Sequence, residues 1–425
     1  MKVSMRRVCK ILYYNEVSRS EVVHNMSAFR NISWKWFVAS VFSGQRHYSA
    51  VPSICLKRAL LVSKMTRYEL ECQRYPELSM SKLEATLRKQ CFDYDVLLQH
   101  HRLHKEFEHR VRTVLNDCGI ETRTVNRSEY TQSNIDWADI IIPTGGDGTY
   151  LMAASQVAGN EKPVVGLNSD PSRSEGYLCL PVKYSTNIRE AIDKLLKGEF
   201  EWMFRSRIRI TLHGENLCVT PIKLHEHGLH PIYSDLEVKE EMSLSSTNVT
   251  SEVVPVLALN EVYVGESLSS RVSYFGLSFD NGAWTKVKSS GLCVSTGTGS
   301  TSWHLSINRI TEQSVAEVMK LLGTPNQDPG HVKHVTDEFN QNLVFSCEDK
   351  RMSYTVRDLI SAGVWPDPKG LEPRGFANKI EVKSRCFEGG IVVDGGVFFK
   401  FNEGTTATLE IHNCDALRTV KLIET

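Results

Sequence analysis

The pattern of apolar and polar residues in the first half of the chain predicts strands and helices in alternation. A short apolar run bounded by polar residues predicts a buried strand at 58–63, and further strands are predicted at 121–125, 138–144 and 163–167. Apolar side chains at helical spacing predict two helices, 102–118, which is ended by Gly119, and 149–158. Strands that alternate with helices in this way form a parallel sheet with helices on both faces. We therefore expect a doubly wound α/β domain over residues 57–200.

From about residue 201 the pattern changes to an alternation of period two with many β-branched residues. It predicts strands at 207–212, 253–264 and 273–279, followed by short strands separated by glycine-containing turns. The tetrapeptide Asp280-Asn-Gly-Ala283 predicts a hairpin turn, because Asn and Gly tolerate the positive φ that its two central positions require. Two polar stretches without clear periodicity, 213–251 and 308–385, are expected to be insertions or long loops. Residues 201–425 are therefore predicted to form a mostly β domain.

Charge is balanced over the whole chain, with 50 basic and 50 acidic residues among 425, but the N-terminal segment is almost free of acids. Residues 1–68 hold 12 Lys and Arg and only two acids, Glu16 and Glu21. This basic, serine-rich composition is typical of mitochondrial transit peptides, so we predict such a segment over 1–56 and a protein of the mitochondrial matrix. An N-terminus without a function is the alternative.

Composition also argues against several classes of partner. The chain after residue 68 holds 38 basic and 48 acidic residues, a net charge of −10 that argues against broad binding to nucleic acid or anionic membranes. No apolar run approaches the roughly 18 to 20 residues that span a bilayer. The eleven cysteines include no CxxC pair, and the histidines at 213, 225, 227 and 230 lack zinc-ligand spacing. We therefore predict no disulfide framework and no metal site built by the protein alone.

A strand that runs directly into three glycines and an aspartate carries the clearest chemical signal. The stretch is Asp139-Ile-Ile-Ile-Pro-Thr-Gly-Gly-Asp-Gly-Thr149. Glycine lets a ligand approach the backbone closely, and the start of the following helix offers free N–H groups, so Gly145 and Gly146 predict a phosphate site. Asp147 would repel a phosphate, so we expect it to accept a proton from an attacking hydroxyl group or to help hold a phosphate-bound Mg²⁺. An ordinary Gly-Asp-Gly turn is the alternative.

Two further features fit a nucleotide site less specifically. The loop Ser295-Thr-Gly-Thr-Gly-Ser-Thr-Ser302 offers hydroxyl and N–H donors to phosphates or to an adenine edge, although such sequences are often only loops. Asn260 and Glu261 are adjacent polar residues in an apolar strand. Burial of unpaired polar groups is costly, so they need partners, which either a ligand ribose or cross-strand contacts could supply.

These three features, GGDGT, then Asn-Glu in a strand, then a Ser-Thr-Gly-Thr-Gly-Ser-Thr loop, together resemble the NAD kinases. GGDGT alone is shared with diacylglycerol and sphingosine kinases, whereas the combination is much more specific. The resemblance runs from about Lys57 to the C-terminus. Several stretches are similar to the mitochondrial branch of the family in animals: TRYELE, DPSRSEGYLCLPV, ALNEVYVGESLSSR and VVDGG.

The resemblance implies a two-domain enzyme, with GGDGT in the α/β domain, the other two motifs in a C-terminal all-β sandwich, and the substrate between them. It implies transfer of the γ-phosphoryl group of ATP to the 2′-hydroxyl of the adenosine ribose of NAD, which yields NADP. Mg²⁺ would accompany ATP, and a homodimer is expected.

Carried over residue by residue, the resemblance makes Asp147 the general base or the group that orients the hydroxyl. The residues that would bind the nucleotides lie in the three motifs: Gly145, Gly146, Gly148 and Thr149 at the phosphates, Asn260 and Glu261 on NAD, and Thr298, Gly299, Ser300 and Thr301 at the adenine side. The chain departs from the common family pattern at Gly297, where many members have proline, and at Ser290, where an aspartate is frequent.

Two other functions fit part of the pattern. A lipid kinase of the diacylglycerol or sphingosine type would need a membrane-docking element, and neither a cysteine-rich lipid-binding module nor a basic amphipathic helix follows residue 68. A nucleotide-binding regulator without catalytic activity would have no need of Asp147.

Overall fold

The computed structural model describes residues 54–424, apart from 216, 218, 225–250, 269, 324–327 and 361–370. All of these described residues belong to one compact unit, Pro52–Thr425. The predicted transit segment, 1–56, lies outside the described residues except for its last three. Within the described part of the chain, no helix is long and apolar enough to cross a membrane.

A parallel sheet forms the centre of the first half of the chain. Its strands are β1 (Arg58–Ser63), β2 (Glu121–Val125) and β3 (Ile140–Thr144), in the order β2-β1-β3. Both pairings are parallel. The segment predicted as a strand at 163–167 pairs with β3 only through single bridges, so it extends the sheet without forming a regular strand.

Seven helices of the described part accompany this sheet. They are α1 (Arg67–Arg74), α2 (Met80–Lys89), α3 (Tyr94–Asp117), α4 (Gln132–Trp137), α5 (Asp147–Ser155), α6 (Lys183–Thr186) and α7 (Ile188–Lys197). The side chain of Asp93 caps the start of α3, and Gly198, with a φ of 73°, ends α7 in the left-handed conformation. The two predicted helices correspond to α3, which begins earlier than expected, and to α5.

Side chains of the sheet alternate between two separate cores, one on each face. Ala59 and Leu61 of β1 lie in a core with α3 and α7, whereas Leu60 and Val62 lie in a core with α4 and α5. Because successive residues of a strand point to opposite faces, the sheet is buried on both sides. This arrangement confirms the predicted doubly wound α/β class.

Two antiparallel sheets dominate the second half of the chain. The strands, from the first to the last, are β4 (Phe200–Arg205), β5 (Ile208–His213), β6 (Ile222–Lys223), β7 (Ser251–Val253), β8 (Glu261–Glu266), β9 (Ser273–Phe279), β10 (Thr285–Ser289), β11 (Gly291–Ser295), β12 (Met352–Arg357), β13 (Arg374–Ala377), β14 (Lys379–Ser384), β15 (Gly389–Val393), β16 (Val397–Lys400), β17 (Thr406–Ile411) and β18 (Leu417–Leu422). One sheet has the order β10-β9-β14-β17-β5-β7 and the other β13-β12-β11-β8-β15-β16-β6. Apolar residues of both sheets share one core, as Leu277 of β9 and Val264 of β8 do. The sandwich is thereby confirmed.

The two remaining strands, β4 and β18, pair only with each other and lie against the first half of the chain. Phe200, Val420 and Leu422 belong to the core that contains α3 and α7, and Leu417 belongs to the core on the opposite face of the parallel sheet. The last strand therefore completes both cores of the α/β half. The division of domains at residues 200 and 201 stays a prediction.

Three local predictions for the second half are wrong in detail. The strand expected at 253–264 is two strands, β7 and β8, separated by an irregular segment. In the predicted hairpin, positive φ occurs at Asp280 and Asn281, so the turn lies one residue earlier than Asn-Gly would place it. The stretch 308–385 follows α8 (Trp303–Asn308) and contains the strands β12, β13 and β14. It also contains two helices, α9 (Glu312–Leu321) and α10 (Pro329–Gln341).

Candidate active site

The GGDGT motif forms the turn between β3 and α5, as the sequence predicts. Gly146 is the N-cap residue of α5, and Asp147 is its first helical residue. A Cβ atom at Gly145 would collide with Thr149 Oγ1, and one at Gly146 would lie 2.5 Å from Ser174 Oγ. A Cβ atom at Gly148 would meet no protein atom within 4 Å. The first two glycines are thus required by packing, whereas Gly148 leaves open space beside the free N–H groups of the helix start.

Asp147 is held by a loop that follows the parallel sheet. Its carboxylate accepts hydrogen bonds from the backbone N–H groups of Leu178, at 2.8 Å, and Tyr177, at 3.2 Å. Each carboxylate oxygen can accept a second hydrogen bond, so the group is oriented without being saturated. The loop itself is braced by Asn168, whose side-chain amide donates to the carbonyl of Ser174 at 2.8 Å.

Asn260 and Glu261 lie at the start of β8 and are both buried, with 7% and 9% of their surface exposed. Asn260 Oδ1 and Glu261 Oε2 are buried and have no hydrogen-bond partner in the described residues. Cross-strand contacts, the alternative explanation for these polar residues, do not satisfy these two atoms. A ligand that binds here can supply the missing partners.

Asp394, in the turn between β15 and β16, fixes the backbone of this pair. Its carboxylate accepts hydrogen bonds from the N–H groups of Leu259 (2.9 Å), Asn260 (2.8 Å) and Glu261 (3.1 Å). Burial raises the pKa of Asp394 to about 6, although these three donors act in the opposite direction. Burial, followed by the charge of Asp394, raises the pKa of Glu261 to about 8. Near neutral pH, Glu261 is therefore a neutral acid that can donate a hydrogen bond.

The Ser-Thr-Gly-Thr-Gly-Ser-Thr loop packs directly on the backbone of Asn260. Thr296 donates its backbone N–H to the carbonyl of Asn260 at 2.9 Å and its hydroxyl to the carbonyl of Leu259 at 2.5 Å. A Cβ atom at Gly299 would collide with the carbonyl oxygen of Asn260, so only glycine permits this approach. The second and third motifs thus form one continuous surface.

The predicted loop residues differ in what remains available to a ligand. The hydroxyl of Ser300 donates to the carbonyl of Gly297 at 2.7 Å and accepts from Phe345 N–H at 3.2 Å. The hydroxyl of Thr298 accepts only a long contact, 3.5 Å, from Arg205 Nη1. Ser300 is engaged in holding the loop, and Thr298 is the better candidate for a ligand contact.

Contacts through Cys179 and Arg205 connect the GGDGT turn to this surface. The Cys179 thiol lies 3.6 Å from the carbonyl oxygen of Gly145. Burial raises the pKa of Cys179 to about 12, the charge of Asp147 adds to this rise, and the charge of Arg205 opposes it. The Cys179 thiol therefore lies close to both Asp147 and Arg205, and Arg205 in turn contacts Thr298. In the described part of the chain, no hydrogen bond joins Asp147 directly to Asn260 or Glu261.

Sequence reasoning missed Asp394, Arg205 and Arg207. The VVDGG stretch contains Asp394, but its partners lie more than 130 residues earlier in the chain. Arg207 is 1% exposed and donates to four backbone carbonyls, those of Ala154, Val157, Gly159 and Asp415. Nothing in the sequence around 205–207 distinguishes these arginines from surface residues of a strand.

A polar cavity of about 230 Å³ lies beyond the carboxyl ends of β1 and β2. Its lining includes Lys64, Lys105 and Glu129, and Lys64 Cβ would lie 3.1 Å from a Cβ atom at Gly145. Ligands of parallel α/β sheets commonly bind at this edge. Among the described residues, no group of three or more His, Cys, Asp or Glu side chains is placed to hold a metal ion.

Comparison with known proteins identifies the family. The profile of the family described as ATP-NAD kinase N-terminal domain matches residues 73–200. The chain is 43% identical over 378 residues to NAD kinase 2, mitochondrial, of Rattus norvegicus, which covers 86% of this chain and 87% of the relative. It is 42% identical over 377 residues to NAD kinase 2, mitochondrial, of Homo sapiens, with 86% and 84% covered. The crystal structure of yeast NADH kinase complexed with NADH aligns with a TM-score of 0.48 and 13% identity, covering 87% of this chain and 84% of that one.

The relatives match both the region that holds GGDGT and the region that holds the other two motifs, because the alignments extend over most of both chains. Identity above 40% over 86% of the chain confirms the resemblance that the motifs suggest. On these grounds the chain belongs to the NAD kinase family.

Proposed function

We propose that this NAD kinase transfers the γ-phosphoryl group of ATP to the 2′-hydroxyl of the adenosine ribose of NAD, and that it does so in mitochondria. The observation that carries the proposal is the pair of orphaned polar atoms on Asn260 and Glu261, next to a loop that reaches the GGDGT turn through Arg205. A nucleotide with two ribose units offers hydroxyl groups that can supply the hydrogen bonds that these two oxygen atoms lack.

Asp147 is the proposed general base. In the transfer, the 2′-hydroxyl oxygen forms a bond to the γ-phosphorus while the bond from that phosphorus to the β–γ bridging oxygen breaks and ADP leaves. The hydroxyl proton passes to Asp147, whose carboxylate is held in place by the N–H groups of Tyr177 and Leu178. Phosphoryl transfer depends mainly on positioning and charge neutralisation, so a base that is oriented in advance suits the reaction.

The remaining motif residues receive binding roles in the same proposal. Gly148 and Thr149 line the phosphates with the helix N–H groups, while Gly145 and Gly146 give the turn its shape. Asn260 and Glu261 hold NAD through their unpartnered oxygen atoms. Thr298, Gly299, Ser300 and Thr301 form the wall at the adenine side, with Ser300 bracing the loop.

Mg²⁺ is proposed to arrive with ATP. Such a cation keeps several water ligands and needs only one or two protein carboxylates, and Asp147 is the carboxylate at the turn. When bound, Mg²⁺ would neutralise charge on the transferred phosphoryl group. The homodimer implied by the family resemblance belongs to the proposal as well.

The lipid-kinase alternative is not favoured, because relatives that match 86% of the chain are named NAD kinases. Mitochondrial location is supported by the names of these relatives and by the acid-poor segment at 1–56, and the matrix is the compartment that we propose.

The substitution Asp147→Asn tests the proposed reaction. Asparagine retains an oxygen that accepts from Leu178 N–H but cannot take up the hydroxyl proton. We expect the fold and most of the NAD affinity to persist, while kcat falls by about 100-fold or more. Purified protein with ATP, Mg²⁺ and NAD would be assayed for NADP with an NADP-specific dehydrogenase. Wild-type turnover in the Asn variant would remove Asp147 from the chemical step, and no NADP from the wild type would refute the function.

A further inference from the structure

Arg205 is a buried cation without a partner of opposite charge. It ends β4, and only 9% of its surface is exposed. Its Nε atom is buried and has no acceptor, and its hydrogen bonds within the described residues go to neutral side chains: Thr298 Oγ1, 3.5 Å from Nη1, and Tyr150. Across the ranges that the structure describes, no Asp or Glu lies within ion-pair distance of it.

The neighbouring arginines show that this is a property of Arg205 and not of the region. Arg207 donates to four backbone carbonyls. Arg209 contacts both carboxylate oxygens of Asp415 at 2.7 Å. A guanidinium that is removed from water without a counter-ion, and with one of its donors unsatisfied, destabilises the folded protein. A buried guanidinium of this kind is retained where a ligand supplies the negative charge that the protein does not.

The position of Arg205 indicates the chemistry of that ligand. On one side it contacts Thr298 of the third motif. On the other it lies beside Cys179, which touches Gly145, and beside Tyr150 of α5, the helix that begins at Asp147. The cation therefore stands between the phosphate turn and the loop at the adenine side. At the turn, the negative charge of Asp147 opposes the binding of an anion, and a nearby positive charge is required to offset it.

We propose that Arg205 binds phosphate oxygen atoms of the substrates at the GGDGT turn and neutralises their charge. This inference rests on the proposed function, because it takes the anion to be a substrate phosphate. The planar guanidinium can donate two hydrogen bonds to one phosphate group. The phosphate has two sources, the triphosphate of ATP and the diphosphate of NAD.

Kinetics of Arg205→Met and Arg205→Lys in the full chain test the assignment. Hydrogen bonds to a charged group predict a loss in kcat/KM of about 10- to 100-fold for the Met variant, with partial recovery for the Lys variant, which restores a cation. If the ATP triphosphate is the ligand, KM for ATP rises while KM for NAD stays near wild type; if the diphosphate of NAD is the ligand, the reverse holds. Arg271→Met, which removes an exposed ion pair with Glu388, is the matched control and should leave activity unchanged. Unchanged kcat and KM values in Arg205→Met would overturn the proposal.

Thermal melts separate this role from a structural one. Loss of an unpaired buried charge is expected to leave the Tm of Arg205→Met equal to or above that of the wild type, although activity falls. Added ATP or inorganic pyrophosphate should raise the Tm of the wild type and fail to do so in the Met variant. A lower Tm in the Met variant, together with an undiminished ligand-induced shift, would show that Arg205 supports the fold and would refute the inference. If the Met variant does not fold, the same comparison of Tm with and without ATP or pyrophosphate is made for the Lys variant.

Failure of the proposed function gives a different result. A wild type that forms no NADP, yet is stabilised by ATP or pyrophosphate only when Arg205 is present, would contradict the assigned reaction and support the phosphate site. An active wild type whose Arg205→Met variant is equally active would contradict only the inference.

Discussion

At the scale of single residues, the site contains one carboxylate held in a fixed orientation, Asp147, and two buried carboxyl groups close to each other, Glu261 and Asp394. Asp147 takes its orientation from two backbone donors, whereas Glu261 and Asp394 share a buried corner in which both pKa values are raised. Two nearby negative charges with little access to water favour protonation of the less well solvated group. Glu261, which lacks the three N–H donors of Asp394, is that group.

This pairing predicts a pH-dependent stability that Glu261→Gln should remove. In the unfolded chain Glu261 loses its proton near the ordinary pKa of a glutamate, 4.5, whereas in the folded protein its pKa is raised to about 8. Between these values the unfolded state binds fewer protons, so the free energy of unfolding decreases as pH rises and stays low above pH 8. Glutamine carries no titratable proton, so the variant should gain on the order of a few kcal/mol over the wild type at pH 8.5 and little at pH 5. Tm measured at both pH values checks this, and a pH-independent difference in Tm would contradict it.

Site residues could be predicted from the sequence only where they differ clearly in type from their neighbours along the chain. Asp147 stands among glycines directly after an apolar run, and Asn260 and Glu261 interrupt a strand, so each is visible in its own segment. Arg205 and Asp394 act through residues 93 and 134 positions away, Thr298 and Asn260. No local pattern encodes a contact at that separation.

At the scale of elements, the prediction succeeded where one face of an element is strongly apolar. β1, β2 and β9 have the predicted limits; β1 and β9 are short runs of mostly buried residues, whereas β2 buries only Val125. α9 and α10 were missed; each buries only two side chains, so its apolar face stands out little from the many polar residues around it. The hairpin after β9 is shifted because Asp280, and not Gly282, adopts positive φ.

Arg207 joins elements that no sequence pattern connects, and Arg207→Met should show how much this matters. Its guanidinium binds the carbonyls at the C-terminal end of α5, while Ile208, the next residue, pairs with Ala258 two positions before Asn260. The substitution leaves several buried carbonyls without donors, so we expect a loss of about 3 kcal/mol or more. Denaturant titration measures it. Wild-type stability in Arg207→Met would contradict this account. Arg205→Met, which is expected to keep or increase stability, serves as the control for a buried arginine replaced by methionine.

At the scale of the whole molecule, the basic N-terminal segment differs in composition from the mildly acidic remainder. Composition predicts a transit segment over 1–56, but the side chain of Leu56 is buried in the α/β core. The boundary for an experiment therefore belongs before Ile54, which packs on the same core.

Removal of residues 1–53 should change the location of the protein and not its activity. The full chain with a C-terminal fluorescent protein is expected in mitochondria, and the chain from Ile54 onward in the cytosol, because the basic segment is the proposed import signal. Purified protein of both lengths should form NADP at the same rate. Mitochondrial fluorescence of the shortened chain would show that the signal lies elsewhere.

The pairing of β18 with β4 also determines when the molecule can fold. Leu417, Val420 and Leu422 complete the two cores around a sheet whose strands all lie before residue 145. A ribosome synthesises that sheet early but supplies its closing strand only near the end of translation. Whereas most domains fold as soon as they emerge, we expect the first half of this chain to complete its folding only when the last strand is available. Until then it remains open to translocation, to chaperones and to proteases.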